Sequence, residues 1–144
     1  MRFALNEAVK AYERDEVPIG CVIVKDNVII GKGYNQTEQL TDSTAHAEMI
    51  AITAACGTLE SRFLIGATMY VTLEPCPMCA GALVNSRIER LVFGAYDPKA
   101  GACGTLYTIT EDERLNHRIH TIGGILDTDS VGILKEYFKK KRKV

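Results

Sequence analysis

Residues 67–95 constrain the fold most tightly. "ATMYVTLE" (67–74) is β-branched and alternating, the pattern of a strand. Pro75 ends it, Pro77 suits the first turn of a helix, and "PMCAGALVNS" (77–86) continues that helix. "RLVFGA" (90–95) is again a strand. Strands alternating with helices predict an α/β layered domain with a partly parallel sheet.

The flanking chain extends this pattern. Met1, Ala4, Leu5, Ala8, Val9 and Tyr12 fall on one helical face. After Pro18, "IGCVIV" (19–24) reads as a buried strand, Asp26-Asn27 as a turn and "VIIGKGY" (28–34) as the returning strand, so the sheet is mixed. A loop, "NQTEQLTDST" (35–44), offers Asp42, Ser43 and Thr44 as helix starters. "AHAEMIAITAAC" (45–56) is an alanine-rich helix with Gly57 as its stop. "DPKAGACGT" (97–105) is turn-like, "HTIGGI" (120–125) a last short strand, and "DTDSVGILKEYFKKKRK" (127–143) a helix, acidic at its start and basic at its end.

Length and composition narrow the class. A chain of 144 residues suits one domain spanning 1–144. With 47% hydrophobic and 24% charged residues it is globular rather than disordered. No apolar run is long enough to span a bilayer, and the N-terminal stretch lacks the apolar core of a signal peptide. A cytoplasmic protein without membrane contact is expected. The five cysteines, 21, 56, 76, 79 and 103, are odd in number, which argues against a disulfide framework. Cys21 and Cys56 read as packing, and Cys103 in "KAGACG" stays ambiguous. Five of the last six residues, "KKKRKV", are basic, which suits either a polyanion or a solvated helix end.

The cysteine pair in "TLEPCPMCAG" (72–81) admits a disulfide, a redox couple, half a structural zinc site or a working metal site. Upstream, "TAHAEM" carries His46 and Glu48. Both motifs open helices, whose N-termini present backbone N–H groups and lower thiolate pKa values. Cys76 and Cys79 share a helix face and reach one ion, at about 2.3 Å for zinc–sulfur. His46 supplies a nitrogen from the neighbouring helix. Three protein ligands mark catalytic zinc, whereas structural zinc takes four. Glu48, two residues from His46, is then placed to shuttle protons for a zinc-activated water; alone it reads equally well as a solvated first-turn acid.

"HAE" with "PCPMC" resembles the signature of zinc-dependent nucleotide deaminases. The likeness extends through "EVPIG", "GKGYN", "TAHAEM", the run from "ATMYVTLEPCPMC" to "GACGTL", "LNHR" and "GIL". Over nearly the whole chain it resembles the bacterial tRNA-specific adenosine deaminases, in the cytidine-deaminase-like superfamily. That resemblance implies a three-layer α/β fold, with a five-stranded mixed sheet flanked by helices, and a homodimer. It implies hydrolytic deamination of adenosine to inosine at the first anticodon position of a tRNA. His46, Cys76 and Cys79 match the zinc ligands, with one Zn2+ per chain and no organic cofactor, and Glu48 matches the proton shuttle. Asn35 matches a residue contacting the target base. Asp97 and Lys99 lie in a loop bordering the RNA. Phe138, Lys141 and Arg142 match the C-terminal helix that meets the anticodon stem-loop.

Two rival readings share parts of this kit. A free-base or nucleoside deaminase acting on guanine, cytosine or cytidine uses the same zinc motif. A non-enzymatic structural-zinc module needs a fourth protein ligand, for which His117, His120 and Cys103 are available.

Overall fold

The computed structural model describes residues 1–143. The elements run α1 (Arg2–Glu13), β1 (Gly20–Lys25), β2 (Val28–Tyr34), α2 (Ala47–Leu59), β3 (Thr68–Leu73), α3 (Pro77–Asn85), β4 (Arg90–Ala95), a 3₁₀ turn (Ile109–Glu111), β5 (His120–Ile122) and α4 (Asp127–Arg142). The strands form a five-stranded sheet in the order β2-β1-β3-β4-β5. β1 is antiparallel to both its neighbours, while β3, β4 and β5 run parallel. The sheet is therefore mixed, as expected.

Local chemistry explains the joints. Asp26 and Asn27 take φ of 50° and 62°, the left-handed pair that a tight two-residue hairpin requires. Pro77 stands in the first turn of α3, where its missing N–H costs nothing. Gly33 pairs with Cys21 on one face of the sheet, and a side chain there would meet the Ala47 carbonyl of α2 at 2.3 Å. Gly20 points to the other face, where a side chain would meet the Ala4 carbonyl of α1 at 2.0 Å. Helices thus press on both faces, and the small residues let their backbones sit directly on the strands. Phe93, Ile23, Leu64, Met69, Leu83, Ile88, Leu91 and Ile119 fill the core. Burying each such side chain contributes about 1.5–3 kcal/mol.

Four expectations need correction. Gly57 does not stop α2, which runs on to Leu59 and ends where Glu60 turns left-handed at φ 52°. The helix also does not start on Asp42, Ser43 or Thr44, because His46 is its N-cap. Asp42 instead accepts the Thr44 N–H and hydroxyl, closing a local turn before the helix. The buried stripe of α1 is Ala4, Glu7, Ala8 and Ala11, and Val9 is exposed. Close approach to Gly20 selected the alanines over the bulkier apolar side chains. The last strand is shorter than "HTIGGI", stopping at Ile122.

Candidate active site

The chain places its chemistry where strands give way to helices. His46 is the N-cap of α2 and Cys76 the N-cap of α3, so both sit at positive helix ends. Cys79 lies on the first turn of α3 and is fully buried. His46 Nδ1 is 3.6 Å from Cys76 Sγ and 3.5 Å from Cys79 Sγ. All three ligand atoms lie within 4.8 Å of one another. A tetrahedral ion with zinc–sulfur and zinc–nitrogen bonds of about 2.3 and 2.05 Å holds such atoms about 3.6 Å apart. The residues therefore fit zinc without rearrangement. They also identify Nδ1, not Nε2, as the nitrogen that faces the sulfurs.

Electrostatics favour a cation at this point. Hydrogen bonding from the Cys79 thiol, and from His46, pulls Cys76 down to about 4 against the opposing effect of burial. The same bond to Cys76, together with burial, raises Cys79. His46 is raised, first by its bond to Cys76. Glu48 is buried in the first turn of α2, and burial pushes its carboxyl up to about 7. A group poised there accepts and donates protons with little bias, as general acid–base chemistry requires.

The expected fourth-ligand candidates lie elsewhere. Among the described residues, the metal-competent group comprises His46, Cys76 and Cys79 alone. Cys103 Sγ is 3.9 Å from the Pro75 carbonyl, His117 Nε2 bonds the Ile88 carbonyl at 2.6 Å, and His120 is exposed. A three-ligand centre leaves one tetrahedral position for a reactant.

A cleft of about 1030 Å³ runs between α4 and the loop after β4. Asp97, Lys99, Phe138, Lys141 and Arg142 all line it, so two segments distant in sequence converge. Its walls include Leu73, three residues before Cys76, but not the metal group itself. Phe138 is exposed and stands edge-on to Tyr137, with ring centroids 5.3 Å apart. Lys141 is tied to Asp15 at 2.7 Å. Asp97 turns its carboxylate back on its own loop, accepting the Lys99 and Ala100 N–H groups. Asn35 is buried, donates to the Val17 carbonyl at 3.4 Å, and leaves its Oδ1 without a partner among the described residues. Val17 in turn lines the cleft.

Sequence reasoning missed two buried acids beside these residues. Glu16 accepts the Glu38 and Gln39 N–H groups, holding the loop that leads to His46. Glu74, next to Pro75, accepts N–H groups from Asp97, Cys103 and Thr105. Their only sequence signal is a charge at the edge of an apolar stretch, before it for Glu16 and after it for Glu74.

Residues 1–95 match the family described as the cytidine and deoxycytidylate deaminase zinc-binding region. The chain is 50% identical over 143 residues to a tRNA-specific adenosine deaminase of Bacillus subtilis, covering 99% of this chain and 89% of that protein. A solved structure from work on A-to-I editing by tRNA:A34 deaminases, at the wobble position of transfer RNA, superposes with a TM-score of 0.89. It is 46% identical, over 93% of this chain and 97% of that one. A guanine deaminase from Bacillus subtilis is more distant, at 36% identity and a TM-score of 0.65, over 72% of this chain and 67% of its own.

Proposed function

This chain belongs to the cytidine and deoxycytidylate deaminase zinc-binding family and, within it, to the tRNA-specific adenosine deaminases; from that premise we propose that it hydrolyses adenosine to inosine at the wobble position of a tRNA. The observation that carries the chemistry is the His46, Cys76 and Cys79 group with buried Glu48 beside it. We assign these three as ligands of one zinc ion per chain and Glu48 as the proton carrier. When bound, such an ion activates a water, lowering its pKa from about 16 towards about 7. Glu48 takes the proton that the water sheds as its oxygen bonds to adenine C6. It delivers that proton to ring N1, so C6 becomes tetrahedral. The C6 hydroxyl then gives its proton through Glu48 to the exocyclic amine, the C6–N bond breaks as the C6 carbonyl forms, and ammonia leaves. Adenosine and water thus become inosine and ammonia.

The remaining residues position the base. Asn35 Oδ1, buried and without a partner, is an acceptor for a donor on the base edge. Phe138 offers a ring face at the cleft, and Lys99, Lys141 and Arg142 offer charge to phosphates. An anticodon base is already partly unstacked, which lowers the cost of bringing C6 to the reacting centre. Residues 1–144 act as one deaminase unit. Leu106 and Tyr107 before the 3₁₀ turn, and Leu115 after it, are exposed apolar residues, which supports a homodimer. No helix among the described residues is long and apolar enough to cross a membrane, and a tRNA substrate supports a cytoplasmic location.

The test is a paired assay. Inosine formation in an anticodon stem-loop is compared with ammonia release from guanine, cytosine, cytidine and free adenosine. Inosine in the stem-loop at the wobble adenosine is expected. Ammonia from a free base with none from the RNA assigns the protein to the rival class.

A further inference from the structure

Glu74 is 2% exposed, yet the described residues give it no cationic partner. Its carboxylate is satisfied by donors of one loop. Oε1 accepts the Asp97 N–H at 3.0 Å and the Thr105 hydroxyl at 2.5 Å. Oε2 accepts the N–H groups of Cys103 and Thr105, both at 3.0 Å. The donors span nine residues of chain, from 97 to 105. The loop is moulded around the carboxylate: a side chain on Gly101 would meet Glu74 Cδ at 2.4 Å. Next to it, the Pro75 carbonyl accepts the Ala102 N–H at 2.9 Å. The segment between β3 and the first cysteine is thus stitched to the loop that carries Asp97 and Lys99.

We propose that Glu74 is a positioning residue: it fixes the 97–105 loop to the metal-bearing segment, and so sets where Asp97 and Lys99 meet the substrate. The inference rests on the proposed RNA reading. A carboxylate is the one side chain suited to the task, because four donors converge and it presents acceptors only. An amide of the same shape would turn an N–H₂ towards backbone N–H groups. Glu74→Gln therefore changes hydrogen-bond polarity while leaving the packed volume alone.

The experiment measures kcat, KM, zinc per chain and amide hydrogen exchange for the wild type and E74Q, with the anticodon stem-loop as substrate. Loss of these bonds is expected to raise KM at least about tenfold, with kcat and zinc content held. The amides of Asp97, Cys103 and Thr105 are expected to exchange at least about tenfold faster. An unchanged KM, with kcat falling in step with zinc or folded fraction, overturns the proposal. So do unchanged exchange rates. If E74Q does not fold, T105V removes only the hydroxyl donor and must shift KM in the same direction. Should the wild type act on no RNA, the proposed function fails, and amide protection still decides the clamp.

Discussion

A buried carboxyl and two neighbouring thiols can all ionise only when a cation joins them. Glu48, Cys76 and Cys79 are such a trio, and His46 completes a cage of the right dimensions for zinc. Removing the ion with a chelator is therefore expected to abolish turnover and lower the thermal midpoint, with zinc restoring both. A midpoint indifferent to metal would separate the ion from the fold. Glu48→Gln is expected to retain zinc and stability while losing about 10²–10⁴-fold in kcat. Wild-type kcat at verified metal content would remove Glu48 from proton transfer. Asn35→Ala is expected to reduce kcat/KM at least about tenfold if, as proposed, its buried Oδ1 meets the base. The "HAE" and "PCPMC" residues were legible because their types carry chemistry by themselves. Glu16 and Glu74 were not, because their partners, backbone N–H groups and one threonine hydroxyl, lie 22 to 31 residues away.

At the scale of elements, helices approach strands through small residues. Ala4 and Ala8 of α1 lie over Gly20, and Ala47 and Ala51 of α2 lie over Gly33. Gly20→Ala should lower the urea midpoint by overpacking, costing about 1–3 kcal/mol. Gly57 is the opposite case, sitting inside α2 with open space where a side chain would go. Gly57→Ala should raise stability by about 0.5–1 kcal/mol in the same measurement. A loss there would mean that the glycine serves something other than the helix. Strand "RLVFGA" matched β4 residue for residue, because its apolar run is bounded on both sides by turn chemistry. Helix ends were harder to read: the chain leaves α2 at a left-handed glutamate, a residue type with no stop preference. The expected face of α1 holds at Ala4 and Ala8 and fails at Val9, because periodicity weighs leucine and valine above alanine, whereas backbone contact demands the reverse.

Over the whole molecule, charge and shape divide the labour. The net charge is only −1, yet α4 ends in Lys139, Lys140, Lys141 and Arg142 beside the cleft. Lys141 spends part of its charge on Asp15, a surface pair of small energetic weight. If Z of these cations contact phosphates, log affinity for the stem-loop falls with log salt at a slope of about −0.7Z. Deleting 139–144 should flatten that slope; an unchanged slope would leave the tail a solvated helix end. In the proposed reading all of this serves a three-ligand metal centre with one position left for the reactant. X-ray absorption at the zinc edge of the purified protein tests that centre most directly. The account predicts one ion per chain with two sulfurs at about 2.3 Å, one imidazole nitrogen and one oxygen that is not from the protein. A third sulfur or a second imidazole would contradict it, because a closed shell leaves no place for the attacking water.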